Sequence, residues 1–427
     1  MMINVLIVGS GGREHAFTWK ASQSDLVEKI FVAPGNAGTS LEPKAENIDI
    51  SATDIDALVS FSKKEGIDLV IVGPEGPLVN GITNKFKKAG INCFGPESLG
   101  AQLEGSKDFA KTFMKRHNIP TAGYESFTNA YEAKKYIQDN ELPKVIKADG
   151  LAAGKGVVII EDYEIAFETI DEFISEKKYG DASRKIIIED FLVGQELSYI
   201  VMVNGTEYLP LATSQDHKTI GEGDVGLNTG GMGAYSPVPF VNDELDTIIK
   251  KEVIEPTVRG LSEDGIPFRG FLYAGLMIDS NLNPRVLEYN CRFGDPETQP
   301  IMLRLKSDLI DMIQTCFTGD IRNYEIEWDE RSAMGVVMSS KGYPESYETG
   351  KEISGLDGLI CKNDIKVFHS GTSLDSEKVL TNGGRVLCVT ALGDDLIQSN
   401  ERAYTAVKKL DWDGKYYRKD IGFRVMK

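Results

Sequence analysis

The sequence predicts an α/β protein of several domains that opens on a Rossmann-like unit, and three observations carry that prediction. Short, continuously apolar runs alternate with amphipathic stretches over the first hundred residues, the pattern of a parallel sheet covered on both faces. The first run, residues 5–8, leads straight into Gly9-Ser10-Gly11-Gly12, a strand turning tightly into a helix. At 427 residues the chain is too long for one hydrophobic core, and roughly 100 to 200 residues per domain suggests three or four compact units.

In the first unit strands are expected at 5–8, 30–33, 69–72 and 93–94, and helices at 13–22, 55–64 and 78–89. The pattern breaks at Gly95-Pro96 and Gly105-Ser106, and a helix over 107–117 is stopped by Ile119-Pro120, so a boundary falls there. From 121 to 190 a compact segment follows, with strands at 145–147, 157–160 and 186–189 and helices at 130–139 and 164–177. A larger lobe runs to about 325, with strands at 196–203, 270–278 and 285–289 and one helix from 298 through 315. The last hundred residues carry strands at 333–339, 366–369 and 385–390 and a helix at 399–410. The division so drawn is 1–103, 104–326 with a small lid lobe at 121–190, and 327–427.

Acidic residues number 65 against 47 Lys and Arg, and the net charge of −18 disfavours nonspecific binding to nucleic acid or an anionic membrane. No apolar run approaches the roughly 20 residues that cross a bilayer, and the first apolar stretch is too short for a signal-peptide core. Cys93, Cys291, Cys316, Cys361 and Cys388 show no C-x-x-C spacing, which argues against a disulfide framework or a zinc site. The expected setting is therefore cytoplasmic, with no nucleic-acid and no membrane partner. An anionic substrate stays open. A lysine ~4 Å from a phosphate is worth about 4 kcal/mol at an effective dielectric near 20, whereas exposed charges beyond about 8 Å are screened.

Gly9-Ser10-Gly11-Gly12-Arg13-Glu14-His15 follows a strand and opens a helix, so its amides suit an anion at the helix N-terminus. It is a poor dinucleotide fingerprint: Glu14 stands where the third glycine belongs, and Ala33-Pro34-Gly35-Asn36 ends the second strand where an acidic residue is needed. A structural turn and a phosphate- or substrate-binding loop both remain open. Gly154-Lys155-Gly156 is not a Walker loop, because glycine follows the lysine and the β-branched run at 157–160 favours a strand. It is expected to join two antiparallel strands, either as a flap closing over phosphates or as a plain hairpin tip.

The richest stretch runs from 286 to 297. On a strand Glu288, Asn290 and Arg292 share one face. Glu288 and Asn290 offer hard oxygens suited to Mg²⁺, and Arg292 suits a planar carboxylate or phosphate. A solvated polar face is the alternative, against which stand the adjoining Asp295-Pro296-Glu297 and the upstream lysine and glycine elements. His15, His117, His217 and His369 are too scattered for a histidine metal site, and His117 is expected at a helix end. His217 precedes a glycine-dense stretch, 228–235, which is either a close-approach ligand loop or a surface loop.

Taken in order, Gly9 to His15, Gly73-Pro74-Glu75, Gly105-Ser106-Lys107, the run from Lys147 to Gly156, Asp216-His217-Lys218, the run from Asn228 to Tyr235 and the string from Arg292 to Glu297 resemble the phosphoribosylamine-glycine ligases of the ATP-grasp superfamily. The resemblance covers nearly the whole chain. It implies an N-terminal Rossmann-like domain, an ATP-grasp core with a mobile glycine-rich flap and a small C-terminal α+β domain, in the monofunctional form. It also implies ATP, glycine and 5-phosphoribosylamine as substrates, a glycyl phosphate intermediate, and glycinamide ribonucleotide, ADP and phosphate as products in purine biosynthesis. A monomer or a weak dimer is expected. An ATP-grasp carboxylase acting on a purine intermediate would use much the same nucleotide site.

By the same resemblance Lys107 and Lys147 are expected on the ATP phosphates with Gly154, Lys155 and Gly156 above them, the adenine against Glu189, Phe191 and Leu192, and the ribose on Glu196. Mg²⁺ or Mn²⁺ is expected on Glu288 and Asn290; the preceding strand carries no carboxylate, Leu276 standing where a second acidic ligand is expected. Arg292, Lys147 and Asp295 are the candidate catalytic residues, with glycine near Arg292 and Asp295. The ribose phosphate is assigned to Gly11, Gly12 and Arg13. The substrate set extends to Gly73, Pro74, Glu75, Asp216, His217, Lys218, Asn228, Thr229, Gly230 and Gly231.

Overall fold

The computed structural model describes residues 2–152, 155–359 and 364–426. The expectations for Gly154 and Cys361 lie outside the described residues. Strands β1 (Ile3–Gly9), β2 (Val27–Pro34), β3 (Ala45–Asn47), β4 (Leu69–Val72) and β5 (Asn92–Phe94) form one parallel sheet in the order β3-β2-β1-β4-β5. Helices α1 (Gly12–Ser22), α2 (Ile55–Glu65), α3 (Glu75–Val79) and α4 (Ile82–Ala89) accompany it. Val5 and Ile7 enter one buried cluster and Leu6 and Val8 another, so the apolar run is covered on both faces. The single helix expected at 78–89 is two, because Gly81 at φ +83° breaks it. Strand order reverses between β1 and β4, and the loops leaving both strands, 10–12 and 73–75, therefore open at the switch point where such sheets bind ligands.

Helices α5 (Gln102–Gly105) and α6 (Lys107–Arg116) lead into a small antiparallel lobe. Its sheet has the order β6 (Tyr124–Phe127), β9 (Ile186–Asp190), β7 (Lys144–Ala148), β8 (Val157–Ile160), with α7 (Ala130–Gln138) and α8 (Tyr163–Ile170) on its apolar side. β7 and β8 pair antiparallel on either side of the glycine-rich loop. The helix expected at 164–177 passes after α8 into a π turn at Asp171–Ser175.

The larger lobe holds β10 (Gln195–Asn204) and β11 (Glu207–Pro210), then the short strands β12 (Gln215–Asp216), β13 (Thr219–Gly221), β14 (Val225–Asn228) and β15 (Gly233–Ser236). Helices α9 (Asp243–Ile249) and α10 (Glu255–Glu263) precede the long strands β16 (Arg269–Ile278) and β17 (Pro284–Asn290), which complete the sheet β11-β10-β16-β17. The one helix expected from 298 through 315 is α11 (Thr298–Arg304) and α12 (Leu309–Thr318): Leu305 turns extended, and the Asp308 carboxylate restarts the helix by accepting the Ile310 amide.

At the C-terminal end β18 (Ser332–Ser340), β19 (Ile365–His369), the hairpin β20 (Thr372–Asp375) with β21 (Lys378–Thr381), β22 (Arg385–Gly393), helix α13 (Leu396–Val407) and β23 (Lys415–Tyr416) follow. The main sheet there runs β12-β15-β18-β22-β19, so two of its strands come from the segment before 237. Cys93, Cys291, Cys316 and Cys388 are buried free thiols. Among the described residues no helix is long and apolar enough to cross a membrane.

Candidate active site

Register on β17 builds the centre of the site. Asn290 pairs with Tyr273 and Glu288 with Gly275; a bulge after Gly275 then shifts Leu276 opposite Val286. The position facing Glu288 is thus Gly275 rather than Leu276, and the Glu288 carboxylate has no side chain across from it. Cations surround it instead. Lys218 Nζ lies 3.7 Å away, itself paired with Glu196 at 3.1 Å. Burial alone would raise the Glu288 carboxyl, but Lys218, Lys147, Lys107 and Arg292 outweigh it and bring it down to about 2. Lys107 opens α6 behind its Ser106 cap, and Lys147 projects from β7 to donate to Leu287 O at 3.1 Å and pair with Glu189 at 3.0 Å. Phe191 and Lys155 are exposed and Leu192 half-buried, and the Gly156 carbonyl accepts the Ala148 amide at the root of the flap.

Arg292 is clasped by two acids. Its Nη2 is 2.8 Å from Glu104 and its Nε 3.4 Å from Glu75. Glu104 also accepts the Cys291 amide at 2.7 Å; burial and nearby Glu75 push its carboxyl up to about 7 against the pull of Arg292. Arg13, expected on the ribose phosphate, makes two contacts within the chain. Its Nε is 2.6 Å from Glu14 and its Nη1 donates to Phe293 O at 3.1 Å, so the guanidinium braces the scaffold. The Glu14 carboxylate reaches back to accept the Gly11 amide at 2.5 Å. Gly73 has to be glycine, because a Cβ there would collide with that carboxylate; Pro74 and Glu75 begin α3 directly after it.

Beside Arg292 a cavity of about 410 Å³ opens between all three parts of the chain, lined by Ser10, Gly11, Asn36, Asp295, Ser370 and Arg385 among others. Gly12 lies at its edge, in contact range of Gln299 and Ser370. Asp295 accepts from Gln299 at 2.8 Å and lies 3.3 Å from Arg385. Burial would raise its carboxyl, but Arg385 and Arg13 hold it below the ordinary value. Arg385 Nη1 also donates to Gly230 O at 2.6 Å, and Gly231, at φ +112°, packs against Pro296 and Asp216. Asn228 ends β14, and the Thr229 hydroxyl donates to Lys218 O at 2.8 Å. Burial and Glu297 together push the Asp216 carboxyl up.

His217, expected among the substrate residues, has both ring nitrogens on the backbone. Its Nδ1 is 3.2 Å from Gly233 O and its Nε2 accepts the Gly422 amide at 3.0 Å, so the backbone occupies both nitrogens of a neutral ring. Burial, with Arg424 and Arg418, pushes it down to about 3. His15 is a second bracket: its Nε2 is 2.9 Å from Glu42, and its Nδ1 accepts the His369 amide at 2.7 Å, tying α1 to β19.

Sequence reasoning missed Glu104, Lys111, Ser198 and Tyr273. Ser198 bonds the Tyr273 hydroxyl at 2.8 Å and donates to Glu297 at 2.9 Å on the floor of the site. A signal existed for Ser198, since Glu196 and Ser198 interrupt an otherwise apolar strand with period two. None existed for the others. As for a metal, no group of three or more His, Cys, Asp or Glu gathers among the described residues. An anionic Glu288 with Asn290 next on its face nevertheless fits a hard cation that takes one or two protein oxygens and completes its shell with phosphate and water.

A parallel switch-point sheet, a lysine-bearing antiparallel lobe and a carboxylate-bearing strand facing it define an ATP-grasp protein, whose co-substrate is ATP. Models described as phosphoribosylglycinamide synthetase match residues 3–104 (N domain), 105–298 (ATP-grasp domain) and 333–424 (C domain). The chain belongs to the phosphoribosylglycinamide synthetase family. A phosphoribosylamine-glycine ligase from Salmonella typhimurium is 54% identical over 425 residues, 99% of each chain. The crystal structure of phosphoribosylamine-glycine ligase from Thermotoga maritima is similar at a TM-score of 0.84 with 33% identity, covering 98% of this chain and 100% of that one. The biotin carboxylase from Campylobacter jejuni, at a TM-score of 0.72 and 13% identity over 98% of this chain and 93% of that one, shares the fold alone.

Proposed function

We propose that the chain joins glycine to 5-phosphoribosylamine at the expense of ATP, giving glycinamide ribonucleotide, ADP and phosphate in purine biosynthesis. The observation that carries this reading is the gathering of Lys107, Lys147, Lys218 and Arg292 round Glu288, next to a cavity bounded by all three parts of the chain. An anionic nucleotide end and an anionic acceptor meet at such a place, and the names of the full-length relatives supply the substrates.

In this reading ATP lies between the small lobe and the β10-β16-β17 sheet. Lys107 and Lys147 meet its phosphates, Lys155 and Gly156 cover them, Glu189, Phe191 and Leu192 face the base, and Glu196 faces the ribose. Glu288 and Asn290 would hold Mg²⁺ or Mn²⁺, which supplies charge neutralisation at the phosphates. Glycine, held near Arg292 and Asp295, takes the γ-phosphoryl group on its carboxylate, while Lys147 and Arg292 balance the charge of the transferring group. Closure of the flap keeps water from the glycyl phosphate until the amine of phosphoribosylamine displaces phosphate. Phosphoribosylamine occupies the cavity of about 410 Å³, with the loop from Gly11 to Arg13 and Arg385 towards its phosphate. We assign the units 1–103, 104–326 and 327–427 to acceptor binding, nucleotide chemistry and closure of the cavity, in the cytoplasm.

The test is ADP release by the purified protein with Mg-ATP, glycine and freshly generated phosphoribosylamine, omitting one component at a time. ADP formed only with all of them, one per glycinamide ribonucleotide, is the expected result. ADP formed with bicarbonate in place of glycine, or AMP in place of ADP, overturns the reading.

A further inference from the structure

Under the nucleotide lobe one buried carboxylate carries two ammonium groups. Lys147 from β7 and Lys111 from α6 each lie 3.0 Å from the same oxygen of Glu189, Oε2, and none of the three side chains is more than 8% exposed. The other oxygen, Oε1, is buried without a hydrogen-bond partner. Lys111 is anchored independently: it donates to the Thr121 hydroxyl at 2.7 Å, which donates to Val286 O at 2.6 Å on β17. One negative charge against two positive ones leaves one positive charge over. A lone lysine beside a buried glutamate would be held by it, because separating such a pair strands both charges in a poorly solvated place. Burial moreover pushes the Lys111 ammonium down to about 8, with Glu189 opposing and Lys147 adding to the shift, so the crowding of the two cations is felt.

We infer that Lys111 is a positioning residue that neutralises Glu189, leaving Lys147 free to turn from that carboxylate to a nucleotide phosphate. The inference rests on the reading that Lys147 meets the phosphates of ATP. Lys111 itself, 2% exposed, stays behind the site.

The test compares Lys111→Met, Glu189→Gln and the double variant, after the wild type has been seen to form ADP only with glycine and phosphoribosylamine; failure of that first assay sinks the functional reading, not this inference. K111M is expected to weaken ATP and ADP binding by about tenfold while leaving competition by adenosine, which has no phosphate, within about twofold of wild type. A merely structural lysine would weaken all three alike, and that result overturns the inference. In K111M/E189Q the Glu189 charge and the ammonium that neutralises it are both gone, and Lys147 is without a carboxylate just as in E189Q, so ATP binding should equal that of E189Q within about twofold. A double variant about tenfold below E189Q would show that Lys111 acts other than through Glu189, whether or not K111M folds.

Discussion

Arg385 Nη2 stands 3.3 Å from Asp295 Oδ2, and its Nη1 donates to the Asp295 carbonyl at 2.5 Å. A guanidinium from the C-terminal sheet thereby holds the loop that leaves β17, and both groups line the same cavity. Arg385→Ala is expected to cost about 2 kcal/mol of stability, because it removes the first of the guanidiniums that hold the Asp295 carboxyl down and leaves Arg13 and Gln299 to do so. It should also raise the half-saturating concentration of phosphoribosylamine far more than that of ATP. Urea midpoints and initial rates check both; equal changes for the two substrates would remove Arg385 from the acceptor site.

Glu288→Gln is isosteric and keeps the strand register, so the fold should be kept, with a lower urea midpoint because the cations round position 288 lose their carboxylate. Turnover is expected to fall about a hundredfold, the scale of losing one group that organises charge in a transition state. The half-saturating Mg²⁺ concentration should rise with it. Near-normal turnover at low Mg²⁺ would end the assignment of Glu288 as a ligand.

Arg292→Ala strands Glu104, which is buried and already pushed up to about 7. A loss of about 3 kcal/mol in stability is expected, and adding Glu104→Gln should restore much of it, since the stranded charge is then gone. Activity should not return with stability. If R292A raises only the Michaelis constant for glycine, its contribution is uniform binding and not stabilisation of the transferring phosphoryl group.

His217 is neutral in the fold and titrates at about 3 there, against 6.5 for an ordinary histidine. Above pH 6.5 the ring is neutral folded or unfolded, and its full contribution is present. As pH falls below 6.5 the unfolded chain binds a proton that the folded chain refuses until about 3, so stability drops by about 1.4 kcal/mol per pH unit across that window. Burial lowers His15 and His369 as well, with the same sign. Urea titrations at pH 7.5 and 5.5 should show the loss, and His217→Asn should flatten it. An unchanged slope in the variant would mean that other groups govern acid lability.

What could be read in the sequence was what is local. The run 69–72 coincides with β4 and 157–160 with β8, because each is a β-branched stretch bounded by turn residues. The face shared by Glu288 and Asn290 followed from the period of a strand, and their neighbours along the motif string led to the cation cluster. Reading failed where one residue outweighed a periodicity: Gly81 splits α3 from α4, and Asp308 restarts a helix where amphipathic spacing alone runs on. It failed again where the partner is distant. Nothing near His217 announces Gly422, and nothing near Arg292 announces Glu104, 188 positions earlier and on another element (292 − 104 = 188). Nothing near Arg13 announces the Phe293 carbonyl that its Nη1 meets, 280 positions later in the chain.

The sheet β12-β15-β18-β22-β19 has a consequence for anyone recombining this protein with a relative. A crossover placed at residue 327 exchanges β18, β19 and β22 but keeps β12 and β15 from the original parent, so the seam runs through the hydrogen-bonded ladder between β15 and β18. The unit of inheritance is therefore discontinuous: Gln215–Asp216 and Gly233–Ser236 belong with the last hundred residues. Chimeras that carry those two short strands along with the C-terminal piece should assemble, while those cut at the covalent boundary inherit a mismatched pair of strand edges.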